Sequence, residues 1–368
     1  MSSRWEVIVI GGGPGGALAA KKCAEKGLST LLLEKKKMPR DKCCSGMVMG
    51  TWIQDIIKKE FGEYPDDMKN DTENLNGYAV HVPGEPVQDL NIHTPAIWRK
   101  ILDTWMCKKA EEQGAELRDS MRVTSVKEID GKCIVIVKKD GEQIELESEF
   151  VIGTDGANSV VRRSLFPDFK PKRLIGYREC YETRINMPEN RFNIISPLNR
   201  FPIFFIHYKK NYMLLEGMAL EGMLNETIEN ARQYLIQNHE MKSDIKPLWR
   251  DGCATHVMYK ELSTKVFRPA KGNILIGGDA AGMNIPVTGE GLGASIKNGY
   301  DAAIAVIESK KSGKPAEEIY LNAIDELLEK YHDIFTYGLR VGNALKKKDY
   351  KEYSKSLAES WEYALTIL

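Results

Sequence analysis

The sequence predicts an α/β protein: a parallel-sheet domain laid down in separated segments, an α+β domain inserted between them, and a helical C-terminus. Three observations carry this. An apolar, β-branched run breaks into glycines and resumes as an alanine-rich stretch over residues 5–20. Strand-turn-helix patterns return around residues 150–163 and 272–309. Between those two lies a β-rich, aromatic stretch from about residue 167 to 268.

The first unit is a strand over Trp5 to Ile10, the turn Gly11-Gly12-Gly13-Pro14-Gly15-Gly16, and a helix entered at Ala17-Leu18-Ala19-Ala20. Gly11 permits the turn, Gly13 lets the backbone approach a pyrophosphate, and Gly16 brings helix and strand close, while the helix dipole and free N–H groups take up anionic charge. A second strand, Ser29 to Leu33, ends in Glu34, eighteen residues after Gly16. A carboxylate there accepts hydrogen bonds from adenosine ribose hydroxyls and repels a 2′-phosphate. The whole order describes a Rossmann-type dinucleotide site and leaves open which dinucleotide.

A chain of 368 residues suggests about two domains with a substantial core. Lys+Arg and Asp+Glu are both 52, and no basic face is implied, so nucleic acid is not an expected partner. The runs Lys35-Lys36-Lys37 and Lys346-Lys347-Lys348 read as solvated surface. Seven scattered cysteines argue for a reducing compartment, and no CxxC pair or His/Cys spacing suggests a metal. The first strand begins by about Trp5, which leaves no room for a signal peptide, and the run Phe201 to Ile206 is far too short to span a bilayer. A soluble, cytoplasmic protein is expected.

After Glu34, Lys35 to Lys42 and then Cys43-Cys44-Ser45-Gly46 read as a loop beyond the carboxyl end of a parallel strand, where open α/β sheets bind ligands. Thr51 to Phe61 has apolar residues at helical spacing. Residues 62–95 are rich in Pro, Asp, Asn and Gly, with one strand around Tyr78 to Val82. Ala96 to Gln113 reads as an amphipathic helix with Arg99 in its first turn, where a cation opposes its own helix dipole and so points to an anion elsewhere. Two Asp-Gly pairs, Asp130-Gly131 and Asp140-Gly141, separate the strands of an antiparallel meander. A buried strand then turns at Asp155-Gly156 into a helix capped by Asn158 or Ser159. The aromatic stretch from Pro167 forms a second sheet, one face of which can wall an apolar cavity, interrupted by a helix over Ile228 to His239. Gly272 to Gly282 returns to a strand ending in Gly277-Gly278-Asp279, followed by a glycine-rich turn and a helix through about Ser309. Pro315 to Leu368 is charged and helical. The expected division is 1–55, 96–166 and 268–310 for the nucleotide domain, 56–95 and 167–267 for a substrate domain, and 311–368 for a C-terminal helical segment.

Three motifs, GGGPGG with Glu34, GTDGANSVVRR, and ILIGGDAAGMNIPVTGEGLG, together resemble the FAD-dependent p-hydroxybenzoate hydroxylase-like flavoproteins. The segment PRDKCCSG and the form GDAAGMNIPVTGEG are most similar to the geranylgeranyl reductase branch, FAD enzymes that reduce isolated double bonds of prenyl chains. The resemblance implies FAD as cofactor. It implies that Gly11, Gly13, Gly16 and Glu34 hold the adenosine and pyrophosphate, that Arg40 and Arg99 contact the adenosine diphosphate region, and that Asp155 and Gly156 lie beside the pyrophosphate. Asp279 is matched to the ribityl chain. Pro286 and the turn holding Gly289, Gly291, Leu292 and Gly293 are matched to the isoalloxazine, where backbone N–H groups stabilise the anionic N1/C2 edge of a reduced flavin. One departure stands out: members commonly carry Tyr-Trp-Pro in the substrate sheet, where this chain reads Asn199-Arg200-Phe201-Pro202-Ile203-Phe204-Phe205.

The implied reaction is hydride delivery from reduced FAD to an apolar alkene with a proton added to the other carbon, for which Cys43 or Cys44 is the candidate donor. The substrate is then an apolar small molecule or lipid, and peripheral contact with a membrane suits it although no anchor is visible. NAD(P)H and a ferredoxin-like carrier both remain open as electron donor. The alternatives on the same motifs are an FAD monooxygenase hydroxylating an aromatic compound and a non-catalytic prenyl-lipid binder. The intact Glu34, Asp155 and Asp279 weigh against the binder.

Overall fold

A computed structural model describes residues 4–70, 72–198 and 203–366. Asn199 to Pro202, the start of the segment set against the Tyr-Trp-Pro pattern, lie outside the described residues. The first sheet has eight strands. Arg4–Ile10 runs at its centre, parallel to Thr30–Leu33 on one side and to Glu142–Gly153 on the other. Thr30–Leu33 pairs onward with Glu116–Arg118, and Glu142–Gly153 with Ile274–Ile276, both parallel. The central strands are buried on both faces, as β-branched and leucine-rich runs in a parallel sheet require.

The meander is present, with hairpin strands Arg122–Ile129 and Lys132–Lys139. Its third strand differs from the expectation of a separate element. It continues without a break into the buried strand, giving one twelve-residue strand, Glu142–Gly153, antiparallel to the hairpin at its start and parallel to Arg4–Ile10 for most of its length. The helix over Thr51–Phe61 stands where the periodicity placed it. The stretch from Ala96 does not open as a helix: Thr94–Ala96 pairs with Glu73–Leu75, and the helix begins at Arg99 and ends at Glu112.

The second sheet has seven strands in the order Trp249–Thr255, Leu174–Tyr181, Tyr212–Leu220, Phe204–Lys209, Arg191–Ile195, Gly77–His81 and Gln88–Leu90. All neighbours are antiparallel except Arg191–Ile195 with Gly77–His81. Strand alternation splits its aromatics between two faces. Tyr181, Phe204 and Tyr208 join the core that includes helix Leu224–Asn238. Tyr78, Phe192 and Phe205 lie on the other face, against Trp361 from the last helix, Tyr350–Thr366. The long helix Ala316–Lys347 places Tyr320, Ile324, Leu327 and Tyr331 in the core of the first sheet. The C-terminal segment therefore packs on both cores.

The inward face of the second sheet also carries charge. Arg178 makes a two-pronged ion pair with Asp251 at 3.1 and 2.7 Å, and its Nη1 donates to the Cys44 carbonyl at 2.7 Å. His207 Nε2 lies 3.4 Å from Glu216 Oε2. Lys209 is buried over the Trp98 ring at 4.2 Å, and its ammonium finds no hydrogen-bond partner among the described residues. Burial brings its pKa down to about 7.

Two stability measurements check this packing. Trp361 is 1% exposed, and its ring meets those of Phe205, Tyr78 and Phe192 at 5.7, 6.1 and 6.3 Å. Trp361→Ala should cost about 3–5 kcal/mol in chemical denaturation. Lys209 holds its proton less tightly than an unfolded lysine near 10.5, so from about pH 7 to 10.5 the unfolded chain binds more protons and stability rises with pH. Lys209→Met should therefore stabilise most below pH 7, by about 2–4 kcal/mol, with the gain fading toward pH 10.5.

Candidate functional site

Helix Pro14–Glu25 begins directly after Gly13, three residues before the expected entry at Ala17, and helix Leu292–Ser312 begins immediately after the turn Pro286 to Gly291. The two helices touch through backbone. A Cβ on Gly15 would stand 2.3 Å from the Ser295 carbonyl oxygen, and one on Gly299 would stand 2.1 Å from the Gly15 carbonyl oxygen. That approach brings two helix N-termini to one cavity of about 810 Å³, which also reaches the inward face of the second sheet.

Most of the residues expected at a site share this cavity. Gly11, Gly13, Glu34, Arg40, Cys43, Cys44, Arg99, Asp155, Gly156, Asp279, Gly289, Gly291 and Leu292 all line it. Gly16, Pro286 and Gly293 lie off the lining. Gly16 serves the close approach instead: a Cβ there would meet the Gly11 carbonyl oxygen at 1.9 Å. Gly293 is similarly hemmed in by Ile53 of the Thr51–Phe61 helix, at 1.9 Å. Gly13 differs from both. Its missing side chain opens on space, with the nearest atoms the guanidinium nitrogens of Arg40 and Arg99 at 3.8 and 3.9 Å.

Those arginines belong to a buried charge network. Glu34 Oε2 accepts the Gly12 N–H at 3.0 Å and pairs with Arg40 Nε at 3.0 Å. Arg40 also donates to the Gly12 carbonyl at 3.1 Å and pairs with Asp103 at 3.1 Å. Arg99 holds the same Asp103 through bonds of 2.7 and 3.0 Å. Arg99's position pointed to an anion elsewhere, but the partner it meets is Asp103 on its own helix, four residues on, a spacing at which helical side chains meet. Two cations and two carboxylates neutralise one another beneath the glycine turn, and both guanidinium groups still reach the cavity wall.

Asp155 caps the short helix Val160–Leu165, its Oδ2 accepting the N–H groups of Val160 and Val161 at 2.6 and 3.2 Å. Ser159 is the N-cap proper, its Oγ accepting the Arg162 N–H at 2.9 Å. Asp155 Oδ1 has no partner among the described residues, and burial raises the carboxyl pKa. Across the cavity, Lys42 Nζ stands 3.5 Å from Asp279 Oδ2 and ties the cysteine loop to the turn that precedes the second helix.

The cysteine loop brings Cys43 against Cys253, a residue whose strand sits far along the chain. The Cys253 thiol donates to the Cys43 carbonyl at 3.6 Å. Contact with Cys253, then burial, pushes the Cys43 thiol far up, so Cys43 keeps its proton. Cys253 moves the other way, brought down to about 7 by Cys43 and by the nearby Lys42. Cys44 accepts the Gly46 N–H on its sulfur at 3.3 Å.

Glu290 was expected only as part of the turn Thr288 to Gly293, through its backbone, and its side chain was given no role; the residue also lines the cavity. Its Oε1 accepts the Gly293 N–H at 2.8 Å, in the first turn of Leu292–Ser312. Its Oε2 is buried with no partner among the described residues, and burial pushes the carboxyl pKa up to about 7. Asn284, within the same motif, also lines the cavity, and Glu216 and Trp361 are further lining residues that come from distant parts of the chain and carry no local signal. Among the described residues no group of His, Cys, Asp or Glu is placed to hold a metal.

The donor set fits a dinucleotide with a redox ring. There is an open cradle at Gly13 before a helix N-terminus, a carboxylate at the end of the second strand, and buried, unpartnered oxygens on Asp155, Asn284 and Glu290 facing one cavity. Residues 4–181 match the family described as FAD binding domain. A geranylgeranyl diphosphate reductase of Rhodobacter capsulatus is 28% identical, over 85% of this chain and 76% of its own length. A digeranylgeranylglycerophospholipid reductase of Methanococcoides burtonii is 25% identical, over 95% of this chain and 84% of its own. Among solved structures, a geranylgeranyl bacteriochlorophyll reductase-like protein of Thermoplasma acidophilum superposes with a TM-score of 0.72 at 17% identity, covering 98% of this chain and 90% of that one. Motifs, cavity and relatives agree: residues 4–181 form an FAD-binding domain, and the chain is an FAD-dependent oxidoreductase similar to the geranylgeranyl reductases.

Proposed function

We propose that the protein reduces carbon-carbon double bonds in the prenyl chain of a lipid of the geranylgeranyl type. The observation that carries this is the far end of the cavity. Beyond the charged and glycine-lined end, the same space is walled by Met47, Met49, Phe192, Phe205, Met218 and Trp361. Arg178 and Glu216 share this wall, Arg178 paired with Asp251 and with Glu216, and over its apolar part a branched hydrocarbon buries its surface at about 25 cal/mol per Å².

In this reading the segments 1–55, 96–166 and 268–310 hold the cofactor, 56–95 and 167–267 hold the substrate, and 311–368 closes over both. Gly11 and Gly13 with the N-terminus of Pro14–Glu25 take the pyrophosphate, Glu34 takes the adenosine ribose, and Arg40 and Arg99 support the diphosphate from below. Asp155 and Gly156 flank it. Asp279 takes the ribityl chain, and the turn Gly289 to Leu292 faces the isoalloxazine. Bound FAD supplies the hydride, and electrons reach it from NAD(P)H or a ferredoxin-like carrier. The chain's own contribution is a dry wall that orients the alkene and a proton held ready beside it. Cys43 and Cys44 lie side by side on the same lining as the candidate donors, and the contact with Cys253 makes Cys43 the weaker acid of the Cys43–Cys253 pair. Among the described residues no helix is long and apolar enough to cross a membrane, so the lipid chain is taken from a bilayer surface or a carrier.

The test is anaerobic. Flavin reduced on the protein should reoxidise promptly on adding a geranylgeranyl lipid, with the saturated chain as product, and should stay reduced with buffer alone. Flavin that stays reduced with the lipid until oxygen enters overturns the reading, and coupled hydroxylation of an aromatic compound would then replace it.

The cradle has its own check. Gly11 has φ +111° and a Cβ there would meet the Thr154 carbonyl oxygen at 2.4 Å, so Gly11→Ala should destabilise the fold by about 2 kcal/mol or more. Gly13→Ala should leave the melting temperature nearly unchanged and weaken FAD binding by about tenfold or more, read by fluorescence titration of apoprotein.

A further inference from the structure

The N-terminus of helix Leu292–Ser312 has two claimants. It is the positive end of a 21-residue dipole, and it opens on the cavity through Gly291 and Leu292. Glu290 already occupies it from within the chain. Its Oε1 accepts the Gly293 N–H at 2.8 Å, and the N–H groups of Leu292 and Ala294 also favour the charged carboxylate. The other oxygen, Oε2, is buried without a partner, and the whole residue is 8% exposed.

The side chains around it do not add to the stabilisation that these N–H groups give. Asp279, from the turn Gly278–Ala280, is a like charge acting on it. Tyr78 from the second sheet and Tyr331 from Ala316–Lys347 face it with neutral phenols. Ile53 packs beside it at Gly293. The site holds one negative charge at the expense of an unpaired oxygen, and a second negative charge at the same helix end would oppose the first.

We propose that Glu290 couples flavin reduction to proton uptake: it is a carboxylate while the flavin is oxidised and takes a proton as negative charge develops on the flavin at the N-terminus of Leu292–Ser312. This rests on the placement of the isoalloxazine at Gly289 to Leu292. The balance is two electrons and one proton to the flavin, leaving it anionic at N1, and one further proton from solvent to the Glu290 carboxylate. The electrons come from the protein's own donor. Two protons are thus taken up for two electrons, although the flavin itself binds one. Because burial sets the carboxyl near pH 7 before reduction, the coupling operates above that pH, where Glu290 has a proton to gain. Glu290 is a positioning residue for the charge at the helix end and stores a proton within the cavity.

The experiment is a spectroelectrochemical titration of the FAD-loaded wild type and Glu290→Gln between pH 6 and 9. The wild type should show the dependence of two protons per two electrons from about pH 7 upward. Glu290→Gln keeps an acceptor for the Gly293 N–H and has no proton to gain, so its slope should be half as steep in that range and converge with the wild type below it. Equal slopes in the two proteins overturn the proposal and leave the cofactor placement standing. A wild type that does not take up FAD overturns both. Infrared difference spectra of the wild type alone cover a variant that does not fold. A protonated carboxyl band should appear on reduction at pH 8 and shift in deuterium oxide, and its absence overturns the proposal.

Discussion

The cavity depends on how near two helices can come. Pro14–Glu25 and Leu292–Ser312 meet where Gly15 and Gly299 leave no room for side chains, against Ser295 and each other's backbone. Any larger residue at either glycine would force them apart, since its Cβ would stand within 2.3 Å of a carbonyl oxygen. With them together, two partial positive charges converge on one space, one at each helix start. Sequence places these helices some 280 residues apart, and only the parallel sheet, which sets Arg4–Ile10 and Ile274–Ile276 on either side of Glu142–Gly153, brings them into register.

Concentrating positive potential in a buried site creates a problem of compensation, and the chain answers it differently at each end. Beneath the first helix the answer is a closed network, in which Glu34, Arg40, Asp103 and Arg99 cancel at contact distance. Such a cluster is costly to break from one side and contributes little when intact, so its value lies in fixing where each group points. At the second helix the compensation is a single carboxylate with one satisfied oxygen. On the second sheet it is mixed: Arg178 is fully engaged by Asp251 and the Cys44 carbonyl, while Lys209 is left over an aromatic ring. The firmly paired charges hold loops in place, and the loosely paired ones are the groups whose protons can move.

The sequence made the cofactor half legible because its signals are local. Glycines at fixed offsets, an acid at a strand end and a Gly-Gly-Asp turn each require a particular backbone, and most of these residues meet in one cavity. The network partner Asp103 was also within reach, being four residues from Arg99. The opening of that helix was misplaced because Thr94–Ala96 pairs with Glu73–Leu75, a long-range contact that overrides the apolar period. Cys253 beside Cys43, Lys42 beside Asp279 and Trp361 beside Phe205 are contacts of high sequence separation that no local pattern signals. Glu290 sits inside a recognised motif, but its orphan oxygen is a property of its surroundings. Alternation along the second sheet suggested one face for a cavity, and only the packed structure shows that Phe192 and Phe205, not Phe204 and Tyr208, are on it.

The position of Trp361 orders the making of this site in time. The charged and glycine-lined end of the cavity has all its residues once the chain has been synthesised through Leu292, whereas the aromatic wall is finished by a helix that runs to Thr366. On the ribosome, the cradle residues therefore emerge before the wall can close. For that interval Phe192, Phe205 and Tyr78 lack the indole that later covers them. The last helix acts as a stopper fitted from outside, and the shape of the apolar end can change through substitutions near the C-terminus without disturbing a single residue of the glycine turn.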